Sequence, residues 1–95
     1  MARKLRTLGS KTVSTAAVLL CKANPARVGL IVQETGGTND FRWMDQDTDV
    51  ADAVGVWVKA GETFVWPNDL PPTGDIYGIR ESTGDATVTV IEVEG

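Results

Sequence analysis

Asn24-Pro-Ala-Arg-Val-Gly-Leu-Ile-Val-Gln-Glu-Thr-Gly-Gly37 decides the fold of this chain. Asn-Pro opens a turn, because proline presets φ and asparagine hydrogen-bonds its own backbone two residues on. Val28, Leu30 and Val32 then fall on one face, at the period of two that a half-buried strand requires. Gly36-Gly37 stops the run with residues that tolerate positive φ. The same grammar extends in both directions. Val13 to Lys22 has apolar residues on both faces, which fits a strand covered on two sides or an Ala-rich helical turn. Asn39 to Met44 is a short strand, followed by an acidic loop from Asp45 to Ala53. Val54, Val56 and Val58 alternate, and Ala60-Gly61-Glu62 predicts a hairpin that returns through Thr63 to Trp66. Pro67 to Gly74 holds three of the four prolines and reads as an irregular connection. Ile76 to Glu81 and Ala86 to Glu94 predict a last hairpin across Ser82 to Asp85. In that final strand Ala86, Val88 and Val90 share a face while Ile91 and Val93 fall on the other. Either a β-bulge sits near Val90-Ile91 or both faces of the strand's end are covered. Roughly seven short strands at spacings of about 8–12 residues predict an all-β fold, an antiparallel sandwich of jelly-roll or immunoglobulin-like type.

The chain of 95 residues is the size of one domain. Residues 1–12 read as an extended basic arm with a flexible point at Gly9-Ser10, and residues 13–95 as the domain body. No apolar run approaches the ~20 residues of a membrane span. The segment after the basic N-terminus is too polar for the apolar core of a signal peptide. Charge is segregated: Arg3, Lys4, Arg6, Lys11, Lys22 and Arg27 all precede the first acid, Glu34. The net charge of −4 therefore hides a basic arm on a strongly acidic body. Such an arm suits docking on an acidic protein surface. Nucleic acid is not expected, since the body would repel it and no aromatic residue is interleaved with the basic ones. Cys21 is the lone cysteine and sits in an apolar run, which reads as an inert buried thiol.

Chemistry is sparse. With no histidine, Ser-His and Cys-His nucleophile pairs are impossible, and the commonest zinc sites are excluded. Gly9-Ser-Lys-Thr12 lacks the upstream glycine and the preceding strand of a phosphate-binding loop. The chain is not expected to be an enzyme or to need a cofactor. Asp45, Asp47, Asp49 and Asp52 have ligand-like spacing and are weak calcium candidates. An EF-hand is excluded, because Val50 stands where the loop needs glycine and Val56 where it needs glutamate. The competing reading is a solvated acidic loop that keeps a sheet edge from mispairing. Trp43, Trp57 and Trp66 are candidates for self-association or ligand contact, by filling a subunit interface or by stacking sugar rings. One or two of them are equally suited to the core.

Two stretches, Asn24 to Gly37 and Thr73 to Glu94, resemble small all-β structural proteins that tailed bacteriophages encode among their head genes. In that family "NP-x-R-x-x-L-x-(V/I)-Q-x-TG" opens the domain and "G-x-(I/V)-Y-x-I…A-x-V-T-V-x-E" closes it. This chain departs from the usual "Q-N-T-G" by having Glu34 in place of asparagine. The resemblance implies a virion structural protein, made in the bacterial host cytoplasm and located on the capsid surface. Its role would be that of a head decoration (cement) protein, which binds the outer capsid lattice and stabilises the head. The implied partners are the major capsid protein and the chain itself, as a homotrimer rather than a dimer, with no nucleic acid and no membrane. Arg3, Lys4, Arg6 and Lys11 would then form a capsid-contact arm, disordered from Met1 to Lys11 until it meets its partner. The alternatives are a carbohydrate- or receptor-binding module of a head fibre or tail, or another head–tail component. A chain that runs from Met1 to Gly95 without a stalk favours the first reading over a fused module.

Overall fold

The computed structural model describes residues 3–51, 54–81 and 83–95, with the side chains of Asp49 and Ala51 left aside. Its strands are β1 (Lys4–Val13), β2 (Val18–Cys21), β3 (Arg27–Glu34), β4 (Phe41–Met44), β5 (Val56–Val58), β6 (Thr63–Val65), β7 (Ile76–Arg80) and β8 (Ala86–Glu94). A five-residue helix, α1 (Asp47–Ala51), lies in the acidic stretch where a loop was expected. The strands form two antiparallel sheets, in the orders β1-β8-β3-β6 and β2-β7-β4-β5. Both sheets turn their apolar faces to one core. Leu30, Val32, Ala86, Val88 and Val90 come from the first, and Leu20, Phe41, Trp43, Val58 and Ile76 from the second. Burying each large side chain contributes about 1.5–3 kcal/mol, so these two facing layers hold the fold together.

Pairing differs from the local hairpins that the turns predict. β1 pairs with β8, β2 with β7, β3 with β6 and β4 with β5. Among the described residues only β4 and β5 are neighbours in both sequence and sheet. The turn before β6 forms as expected, with Gly61 at φ +74° and the Glu62 N–H donating to the Lys59 carbonyl at 2.9 Å. It carries the chain from one sheet to the other, however, and β6 joins β3 instead of β5. The connection from β7 to β8 is likewise an arch between layers. The expected strand from Val13 to Lys22 is two strands, broken at residues 14–17 where the chain changes sheets. A short turn closes an arch as readily as a hairpin, and burial of two apolar faces against each other selects the arch.

Residues 4–12, expected as an arm ahead of the body, are extended but belong to the sheet. β1 runs antiparallel along β8 from Lys4↔Glu94 to Val13↔Ala86. Disorder through Lys11 is therefore corrected to an ordered edge strand; Met1 and Ala2 lie outside the described residues. The bulge suspected at Val90-Ile91 lies on the partner strand, where the register shifts between Thr7 and Ser10 and Gly9 adopts φ +72°. A second irregularity falls between Arg27 and Gly29. It makes Val28 the extra residue, so that Arg27 takes the inward position expected of Val28, with Leu30 and Val32. Ile91 and Val93 point outward, flanked by Thr7, Leu5, Ile31 and Gly29 on the adjacent strands. Among the described residues no helix is long and apolar enough to cross a membrane.

Candidate partner-binding cleft

β1 and β2 are both edge strands, and they lie at the same end of the two layers. Between them opens a cleft of about 400 Å³, with Leu8, Leu19, Leu20 and Cys21 as its apolar lining and Arg6, Lys11 and Lys22 as its cations. The bulge explains how β1 supplies three of these residues. Arg6 and Leu8 share a face by strand alternation, and the extra residue at Leu8-Gly9 restores Lys11, three positions on, to that same face. Arg6 approaches Glu94 at 3.9 Å and stays exposed. Neither Lys11 nor Lys22 has an ion pair among the described residues. The cleft thus gathers two of the four expected contact residues, Arg6 and Lys11, and adds Lys22. Arg3 is instead engaged by Asp69 through two 3.1 Å hydrogen bonds, and Lys4 stands opposite Glu94 at the end of β1.

The wall behind the cleft is the Asn24–Arg27 turn. The Arg27 N–H donates to the Asn24 carbonyl at 3.1 Å, and the Ala26 N–H donates to Asn24 Oδ1 at 3.0 Å. This is a Pro-containing β-turn reinforced by an asparagine side chain. Asn24 Nδ2 also donates to Glu92 and Glu94. The Arg27 guanidinium is buried and donates to the carbonyls of Pro72 (2.6 Å), Gly74 (3.1 Å) and Lys22 (2.8 Å). Its charge faces the buried Glu92 carboxylate at 3.6 Å. Arg27 therefore clamps the proline-rich connection, the end of β2 and β8 together. Glu92 was detectable in the sequence, because it continues the inward phase of Ala86, Val88 and Val90; Arg27 was not, because the phase of Leu30 and Val32 puts it outward and only the irregularity at Val28 turns it in. Cys21 is buried beside this pair, and burial pushes its thiol up to about 11, against the lesser pull of Arg27. A thiol so held supplies little thiolate.

Glu34 has its own structural role. Its buried carboxylate accepts four backbone N–H groups, from Gly37 (2.6 Å) and Gly61 (3.0 Å) on one oxygen and from Gly36 and Thr87 (both 3.1 Å) on the other. Burial alone would raise this carboxyl, but the four donors more than offset it and hold it below the ordinary value. One side chain thereby joins the end of β3, the β5–β6 turn and the start of β8.

The tryptophans do not form one row. Trp43 is fully buried and packs against Phe64 and Trp66, with ring centroids 5.7 and 6.1 Å away. Trp66 is partly buried against the core, and its Nε1 donates to Asn68. Trp57 alone of the three is largely exposed, at 51%. The Arg42 guanidinium lies 4.7 Å from its ring centroid, and Trp57 Nε1 donates to Asp40 at 3.0 Å. Arg42 is held in turn by Glu81, whose carboxyl it keeps below the ordinary value. Of the aspartates, Asp45 precedes α1, Asp47 begins it and Asp49 lies within it; Asp52 and the Asp49 side chain lie outside the described residues. Among the described residues no three metal-ligating side chains gather in one place. Comparison with protein-family models, with curated proteins and with solved structures finds no match for the chain.

Proposed function

We propose that the chain is a structural protein of a tailed-bacteriophage particle, a head decoration protein that binds the outer capsid surface, stabilises the head and performs no turnover. The observation that carries the reading is the strand order, β1-β8-β3-β6 against β2-β7-β4-β5. Pairing first with last, second with seventh, third with sixth and fourth with fifth is what one long hairpin gives when it rolls up on itself. We read this order as a jelly roll, and that reading supports the viral branch of the two sandwich types considered, since the architecture recurs in capsid and lectin domains. It adds to the resemblance of Asn24–Gly37 and Thr73–Glu94 to phage head proteins.

A second observation favours a role in assembly. The outward face of the first sheet is uncharged along Leu5, Thr7, Thr89, Ile91, Val93, Ile31, Gln33, Thr63 and Val65, with the mutually paired Arg3 and Asp69 beside Ile31, Val65 and Val93. Leu5 and Val65 are 66% and 60% exposed. A chain with 22 charged side chains in 95 residues that leaves most of this face uncharged, and its one charged pair compensated, is suited to pack it on a neighbour, and a homotrimer is the proposed form. Binding the assembled shell in preference to its parts raises the shell's stability by mass action. The test is to add purified protein to particles that lack it. Many copies over the shell in a particle reconstruction, with rupture at a higher temperature than bare particles, are expected. Unchanged rupture temperature, or a few copies at the tail vertex, would move the assignment to the head–tail alternative. The exposed Trp57, flanked by Asp40 and Arg42, supports the sugar-binding alternative, for which a glycan array is the direct assay.

A further inference from the structure

We infer that the β1–β2 cleft is an acceptor site for an extended peptide strand of a partner protein, with acidic residues flanking an apolar one on its inward face. The inference deepens the proposed function, because it names the surface by which the domain engages its partner, and it can fail separately from it.

Three observations converge. First, among the described residues β1 pairs on one side only, with β8, and its ten residues leave a long row of main-chain groups open to a further strand. β2, with four residues, offers far less, so β1 is the acceptor. Second, a strand added to β1 would project alternate side chains into the space between the layers. There it would meet Arg6, Leu8 and Lys11 in order along β1, with Leu19, Leu20 and Lys22 across the gap. The complementary inward pattern is acid, apolar, acid. Its outward side chains would continue the face made by Leu5, Thr7 and Ser10, and so should be neutral. Third, the anion already in the cleft, Glu92, is occupied by Arg27 and Asn24, whereas Lys11 and Lys22 have no carboxylate partner among the described residues. The same cations repel another basic edge such as a second copy of β1, so they exclude edge-to-edge self-pairing while admitting an acidic strand. A peptide fits better than nucleic acid, because no aromatic side chain lines the cleft to receive a base.

The probe is the acetylated, amidated heptapeptide TETVTET, titrated into the 15N-labelled domain to millimolar concentration at low salt. Amide shifts confined to residues 4–13 and 18–22 are expected. The Lys11→Glu/Lys22→Glu variant, altered only at exposed side chains, should bind about tenfold more weakly, since two attractions become repulsions. N-methylating the peptide at alternate residues separates strand addition from charge attraction. One of the two alternate sets should abolish binding and the other should spare it, because only one set of N–H groups faces β1. The inference is overturned if TKTVTKT binds equally, if both methylated peptides bind, or if TETVTET shifts nothing. It is also overturned if a thymidine decamer moves these amides when the peptide does not. A cleft that ignores the peptide on a domain that still coats particles removes this inference alone, and a peptide-binding domain that coats none removes the decoration reading alone.

Discussion

Replacing Glu34 by glutamine tests whether one carboxylate ties three parts of the fold together. The native group accepts two backbone N–H groups on each oxygen. A glutamine keeps one oxygen and two of these bonds, but turns an NH₂ toward the other two donors. Each buried N–H left without an acceptor costs about 1–3 kcal/mol, so the substitution should destabilise by about 2–6 kcal/mol. A domain of this size is stable by about 5–14 kcal/mol, so much of that margin would go. Urea unfolding at pH 7 is the assay. With a slope of about 1–3 kcal/mol per molar, the midpoint should fall by about 0.7 M or more. Acid gives a second readout. Because folding lowers the Glu34 pKa, its contribution is complete above the unfolded value of about 4.3 and is lost as pH falls through the folded value. Glutamine does not titrate, so the gap between the proteins should narrow below pH ~4.3. A loss under about 1 kcal/mol, or a gap that stays constant into acid, would refute the four-donor account.

Truncating Arg27 to alanine should cost about 3–5 kcal/mol, because the buried Glu92 loses its partner charge; a double variant that also replaces Glu92 by leucine should recover part of this in denaturant melts. Cys21, its thiol raised to about 11 by burial, should resist a disulfide reagent at pH 8 and react fully once urea unfolds the chain; rapid modification of the folded protein would contradict the burial. Deleting residues 1–11 should destabilise and aggregate the domain, since it strips the cover from one edge of β8. A truncated protein with an unchanged melting temperature would restore the dispensable arm.

Much of the strand content was legible in the sequence, and for a clear reason. Alternation at Leu30 and Val32, and at Ala86, Val88 and Val90, reports burial on one face directly, since successive side chains point to opposite sides. The Asn24-Pro25 and Gly61 turns were equally readable, because their residue types limit φ locally. The candidate cleft was visible only as a list of early basic residues. Arg6 and Lys11 resembled a free arm because their covering strand, β8, lies some 80 positions further on. Lys22 joined them only when β2 was brought beside β1.

Tertiary structure decided which strand pairs with which. Main-chain ladders are nearly indifferent to side-chain identity, so the turn after Val58 reads alike as a hairpin and as an arch. The choice fell to the joint burial of two apolar faces around Trp43 and Phe41. It also decided the fate of the charged residues inside. Arg27 and Glu92 are 65 positions apart, and neither could be buried alone; the fold that brings them to 3.6 Å makes their burial tolerable. Period and turn chemistry act between neighbours in the chain and are written in sequence order. Pairing, charge compensation and the cleft depend on residues that meet only when the two layers close.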